Sequence, residues 1–180
     1  MERCRMVFSG SGGQGVITAA IVLAEAAVLH EGLVAVQSQA YGPEARGGAT
    51  RSDIIIADEA INFPKVIQPN ILVCLTQEAY NKFYTIVRPG GLLITDTRYV
   101  KTQRKADGIQ KEIPMYKTVM DKIGKPIVFN ICMLGTLLAI TDILSSESIM
   151  KVLETRIPSS FLDMNREALD IGLQLGAEYK

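Results

Sequence analysis

The sequence predicts an α/β fold: a three-layer α/β/α sandwich on a mostly parallel, mixed sheet, with a helical C-terminal segment. Three observations carry this expectation. Short apolar runs such as Ile71-Leu72-Val73-Cys74-Leu75 and Leu92-Leu93-Ile94 alternate with longer helix-like stretches. Strands that are apolar along their whole length need cover on both faces, so helices should lie on either side of the sheet. Pro69-Asn70 and Pro89-Gly90-Gly91 break the middle of the chain cleanly between these runs. From Asn130 onward the alternation stops and helix-forming sequence continues. The 180 residues suffice to bury a full core. With no repeat and no low-complexity tract they read as one domain, 1–180, whose helical part starts near residue 130.

The first strand is expected at 5–9, followed by a glycine-rich turn and a breaker-free, alanine-rich helix over 15–30. A second strand spans 33–38 and a third 50–57. The link between them is too short for a helical crossover, so the third strand should run antiparallel to the second and make the sheet mixed. Strands at 71–75 and 91–96 flank a helix at 77–86, and a further helix is expected at 116–123. In the C-terminal part, Asn130 is read as the cap of a helix over 131–143, and Ser145 or Ser146 as the cap of one reaching about 155. Pro158-Ser159-Ser160 introduces a last helix to about 176, whose apolar residues Phe161, Leu162, Ala168, Leu169, Ile171, Leu173 and Leu175 suit core burial or a subunit contact.

Composition narrows the function classes. Lysine plus arginine is 19 and aspartate plus glutamate is 19, so no net charge draws the chain to nucleic acid or an anionic membrane. The basic residues Lys101, Arg104, Lys105 and Lys111 are offset by Asp107 and Glu112 and read as a solvated connection. Met1-Glu2-Arg3-Cys4-Arg5 is charged and glycines follow it, which predicts no secretory leader. The longest apolar stretch, 131–144, is too short to span a bilayer, so a cytoplasmic protein is expected. Cys4, Cys74 and Cys132 are far apart, with no Cys-x-x-Cys, and are expected to be reduced and mostly buried. A cubane cluster needs four thiolates, which this chain cannot supply alone.

Two loops stand out. Gly10-Ser11-Gly12-Gly13-Gln14-Gly15 lies between a strand and a helix, the context of a dinucleotide fingerprint. Its glycines permit a tight turn, and the amides at the helix start attract an anion. Yet the second strand ends in Gln37-Ser38-Gln39, without the acid that would hold a ribose. Another kind of phosphate, or close packing with no ligand, stays open. The second loop is Gln39-Ala40-Tyr41-Gly42-Pro43-Glu44-Ala45-Arg46-Gly47-Gly48. A turn needs its glycines and proline but not Tyr41, Glu44 and Arg46, which supply a phenol, a carboxylate and a guanidinium. It is either part of a site or a solvated loop with one internal Glu44–Arg46 pair. The cofactor-binding candidates are thus Gly10, Gly12, Gly13, Gln14, Gly15, Tyr41, Glu44 and Arg46.

No complete active site is visible, and no catalytic residue is assigned. His30 is the one histidine, placed at the end of the first helix where a structural role fits best. With it alone there is no His-x-x-x-His metal pair. Asp96 and Thr97 fall at the C-terminal end of a strand, where open α/β sheets gather ligands, as second-tier site residues or as caps.

Together, Gly10-Ser11-Gly12-Gly13-Gln14-Gly15-Val16 and Tyr41-Gly42-Pro43-Glu44-Ala45-Arg46-Gly47-Gly48 resemble the gamma subunit, or gamma domain, of the 2-oxoacid:ferredoxin oxidoreductases. The resemblance runs along nearly the whole chain, including the strand at 71–75 and the Arg88-Pro89-Gly90-Gly91 turn. It implies an α/β/α unit packed on the other subunits (alpha, beta and delta types) of a complex. Such complexes convert a 2-oxoacid and coenzyme A to acyl-coenzyme A and carbon dioxide while reducing ferredoxin. It also implies that thiamine diphosphate and iron–sulfur clusters sit on those other parts, with none held by this chain alone. The form Gly-Pro-Glu-Ala-Arg-Gly-Gly resembles the 2-oxoglutarate type, whereas pyruvate-type chains tend to read Gly-Pro-Glu-Arg-Arg-Gly-Ala-Pro. Coenzyme A becomes a candidate ligand of the two loops. The rival readings are a stand-alone nicotinamide or flavin oxidoreductase using the first loop, and a purely structural assembly subunit.

Overall fold

The computed structural model describes residues 3–39, 48–103 and 106–180. Among them, β1 (Cys4–Gly10), β2 (Val34–Gln39), β3 (Thr50–Ala57), β4 (Ile71–Cys74), β5 (Leu92–Asp96) and β6 (Ile109–Ile113) form one sheet. Their order is β2-β3-β1-β4-β5-β6. β3 runs antiparallel to both β2 and β1, and the β1-β4-β5-β6 pairs are all parallel. The sheet is therefore mixed, and β3 sits between β1 and β2, which α1 (Val16–His30) connects.

Alternation along the strands splits the core in two. Met6, Phe8, Ile54, Ile56, Val73 and Ile94 face α1, α3 (Met115–Lys122), α4 (Phe129–Thr141), α5 (Ser146–Arg156) and α6 (Leu162–Ala177). Val7, Ile55, Leu72, Cys74 and Leu93 face the opposite layer, formed by α2 (Gln77–Phe83) and the surrounding loops. α4 is the central prop: every residue from Phe129 to Leu138 is buried. It packs on α6 at backbone contact. A methyl group on Gly172 would stand 2.1 Å from the Cys132 carbonyl, and one on Gly135 would stand 2.3 Å from the Leu169 carbonyl. Such crossings admit only glycine.

Glu31, just past α1, ties down α5. Its carboxylate accepts the Ser145 amide at 2.9 Å and the Ser148 hydroxyl at 2.7 Å. Those bonds hold its carboxyl below the usual range. Ser145 is the cap of α5, accepting the Ser148 amide. His30 lies in the last turn of α1, as read from the sequence.

Three expectations need correction. β6 was not anticipated, because Ile109-Gln110-Lys111-Glu112-Ile113 has a polar centre; as an edge strand it needs cover on less of its surface. Asn130 is not a cap but lies inside α4, 7% exposed, with its Nδ2 donating to the Gly15 carbonyl at 3.3 Å. The helix expected at 77–86 divides into α2 and a 3-10 turn over Tyr84–Ile86.

Candidate functional site

α1 leaves β1 on one face of the sheet, and α2 leaves β4 on the other. The carboxyl ends of these neighbouring strands therefore diverge, and such a switch point is where open α/β sheets accept ligands. The first glycine loop occupies it. Gln14 closes the loop from inside: its Oε1 accepts the Ser11 amide at 2.9 Å and its Nε2 donates to the Leu75 carbonyl at 3.0 Å. Gly10 leaves room for that side chain, since a Cβ there would stand 2.6 Å from Gln14 Oε1. Gly15 has φ +67°, and its missing Cβ would lie 2.6 Å from Asn130 Nδ2. Gly12 and Gly13 are exposed, with open space where side chains would be. Among the described residues no side chain caps the start of α1 at Gly15, where a helix leaves its first amides without intrahelical partners. Gly10, Gln14 and Gly15 thus shape the loop, while Gly12 and Gly13 present backbone to whatever approaches.

Tyr41, Glu44 and Arg46 lie outside the described residues. The residues on either side of that loop do show where it begins and ends. Gln39 pairs with Ser52, and Thr50 pairs with Gly10. Ser9 Oγ donates to the Thr50 carbonyl at 2.7 Å, and Thr50 Oγ1 donates to the Gly10 carbonyl at 2.8 Å. Both loops therefore spring from the same edge of the sheet. Beside the ends of the second loop is a hollow of about 340 Å³, with Ser38, Gln39, Arg51, Asp53 and Lys65 in its wall. Asp53 there accepts Arg51 Nε at 2.6 Å and the Val66 amide at 3.0 Å, which fixes the 58–70 segment against β3.

The sequence did not reveal an apolar groove of about 440 Å³ that adjoins the first loop. Gly13, Gly15 and Thr18 form one end; Ile127, Asn130, Ile157, Phe161 and Met164 line the rest. Ile127 is 72% exposed and Phe161 is 47% exposed. Of the two readings of the last helix, core burial holds for Ala168, Leu169, Ile171 and Leu175 but not for Phe161, whose exposure leaves it free for a contact. A signal existed. Ile127 follows Pro126 and Phe161 closely follows Pro158, so each sits in a short 3-10 turn that turns its apolar side chain away from a helix face.

Asp96 resolves as a cap. Its carboxylate accepts the amides of Arg98 at 2.9 Å and Tyr116 at 2.7 Å, joining the end of β5 to the start of α3. Burial raises its carboxyl, against the lowering effect of those bonds. Thr97 is exposed. Burial also raises the thiols, Cys4 to about 11 and Cys132 to about 12, with Cys74 raised further. Cys74 and Cys132 belong to cores on opposite faces of the sheet. Thiols on opposite faces of the sheet are not placed to share one cluster. Among the described residues no group of three acidic, histidine or cysteine side chains is disposed to hold a metal, and no helix is long and apolar enough to cross a membrane.

Comparison with known proteins agrees with this frame. The family model described as pyruvate ferredoxin/flavodoxin oxidoreductase matches residues 5–175. The chain belongs to this family. A 2-oxoglutarate synthase subunit KorC from Methanocaldococcus jannaschii is 43% identical over 172 residues, covering 94% of this chain and 92% of the relative. The crystal structure of a keto/oxoacid ferredoxin oxidoreductase gamma subunit from Geobacter sulfurreducens superposes with a TM-score of 0.87 at 37% identity, over 97% of this chain and 99% of that one. Some family members carry the same unit within a longer polypeptide. Ketoisovalerate oxidoreductase subunit VorA from Methanothermobacter thermautotrophicus is 30% identical over 97% of this chain, which covers 36% of VorA.

Proposed function

We propose that this chain is the gamma subunit of a 2-oxoglutarate:ferredoxin oxidoreductase. In the assembled complex it contributes to coenzyme A-dependent oxidative decarboxylation of 2-oxoglutarate to succinyl-coenzyme A, with ferredoxin as electron acceptor. The observation that carries this reading is the end-to-end match to a 2-oxoglutarate synthase subunit at 43% identity, against 30% for a ketoisovalerate subunit. The architecture agrees with a role completed by other chains. The switch-point edge offers bare backbone and the ends of a loop bearing Tyr41, Glu44 and Arg46, and among the described residues no nucleophile stands beside a base there. Thiamine diphosphate and iron–sulfur clusters belong to the partner subunits in this reading, and this chain alone is inactive. A self-sufficient nicotinamide enzyme is disfavoured by the end of β2, where no acid is present and Gln37 Nε2 is spent on Ser52 Oγ at 2.6 Å. Purification of the tagged chain from its native cells, followed by assay with several 2-oxoacids, coenzyme A and a viologen dye, tests both partners and substrate. Preferred turnover of 2-oxoglutarate by a multi-subunit complex is expected. Turnover by the isolated chain, or preference for another 2-oxoacid, defeats the respective part of the proposal.

A further inference from the structure

We propose that the apolar groove beside the first glycine loop is the docking site of a partner subunit, which seats an apolar side chain between Ile127 and Phe161. This rests on the gamma-subunit reading above and names the surface that assembly uses. Four observations converge on it. The first is exposure: Ile127, 72% exposed, and Phe161, 47% exposed, both line one concavity of about 440 Å³. Large apolar side chains framing a hollow are characteristic of contact surfaces.

The second is charge. Among the described residues Arg156 is the one ionic side chain in the groove wall, and it is held in a bidentate pair with Glu25 of α1. Two of its donors are spent on that carboxylate, which offsets its charge within the chain. The amide nitrogens of the two buried asparagines are likewise turned to the backbone. Asn130 Nδ2 donates to the Gly15 carbonyl at 3.3 Å and Asn165 Nδ2 to the Phe161 carbonyl at 2.8 Å. What remains to recognise an occupant is mainly apolar surface.

The third is position. The groove runs into Gly13 and Gly15. In the gamma-subunit reading this edge acts only when another chain comes up to it. The fourth is covalent. In VorA the same unit covers 36% of a longer polypeptide. The remainder of such a chain has to pack on some face of this unit, and an apolar concavity next to the glycine loop gains free energy when it is covered.

The test uses the complex as it is found in the cell. The tagged chain is expressed in its native host as wild type, Ile127→Asp or Phe161→Asp, and co-purifying oxidoreductase subunits are quantified by native mass spectrometry. Leu29→Asp, at an apolar residue 65% exposed at the other end of α1, is the control. Both groove variants are expected to lose partner subunits at least tenfold while keeping the wild-type melting temperature as isolated chains, and the control is expected to assemble normally. If a groove variant melts early, Ile127→Ser or Phe161→Ser at the same exposed position replaces it. Normal assembly of the groove variants overturns the docking site but leaves the function reading standing, even if their turnover falls. Wild-type chain recovered without any oxidoreductase subunit overturns both. A wild-type homodimer that the groove variants convert to monomers assigns the surface to self-association and overturns the proposal.

Discussion

Gly15 shows how much one residue decides at this site. Its left-handed backbone opens α1, and its missing side chain makes room for the Asn130 amide. Replacing Gly15 with alanine sets a non-glycine residue at φ +67° and drives its Cβ to 2.6 Å from Asn130 Nδ2. The two effects together are expected to cost about 2–3 kcal/mol, lowering the melting temperature by roughly 5–10 °C. Adding Asn130→Ala removes the clash but not the backbone strain, so the double variant should recover part of the loss. Equal loss in both variants would place the whole effect in the backbone. The thiols give a prediction of another kind. Cys4 and Cys132, pushed up to about 11 and about 12 by burial, stay neutral at pH 8. Iodoacetamide should therefore leave the native chain unlabelled and modify all three cysteines once it is unfolded. The sign of the pH effect follows. The folded state keeps the Cys4 proton that the unfolded chain releases above the ordinary thiol value of 9.0, so stability falls as pH rises from there to about 11. A melting temperature that stays flat across that window contradicts the burial argument.

Among elements, the α4–α6 crossing is the stiffest joint. Gly172 faces the Cys132 carbonyl at a distance that no Cβ tolerates, and both partners are backbone, so nothing flexible can yield. Gly172→Ala must force the two helices apart. We expect a loss of about 1–3 kcal/mol in denaturant unfolding, against less than about 0.5 kcal/mol for Glu167→Ala on the exposed side of α6. The elements also show what sequence patterning carries and what it omits. β4 and β5 were legible because their residues are apolar along the strand, as burial on both faces requires. The reversal of β3 was legible from the brevity of its link to β2. β6 was not, because an edge strand with a polar centre has the composition of a loop, and only its register against β5 identifies it. α4 starts two residues before the expected position: asparagine is a good cap, but here its amide donates to Gly15, more than a hundred residues away in sequence. Long-range pairing of that kind leaves no local periodicity. The groove was hidden for the same reason, since its walls come from α1, α4, α5 and α6.

For the whole molecule, the question is what the glycine-loop edge does once a complex has formed. Both loops spring from that edge, where the start of α1 has no side-chain cap among the described residues and a helix N-terminus suits an anion. Arg46, in the second loop, carries a permanent positive charge that suits a phosphate. Coenzyme A is the phosphate-bearing reactant of the proposed reaction, and that proposal assigns the 2-oxoacid to thiamine diphosphate on other subunits. Binding contacts that are equal in ground and transition states raise the Michaelis constant when lost and leave turnover unchanged. Arg46→Ala in the assembled complex should therefore raise the Michaelis constant for coenzyme A by roughly tenfold or more, the worth of one charge-assisted contact. The constant for 2-oxoglutarate should hardly move. Arg46→Lys keeps the charge but not the planar fork and should fall between. If Arg46 instead pairs with Glu44 or with a neighbouring subunit, the alanine variant will shed partners on gel filtration before any kinetic constant changes. Gel filtration and the two Michaelis constants, measured on one preparation, separate a ligand contact from an interface contact.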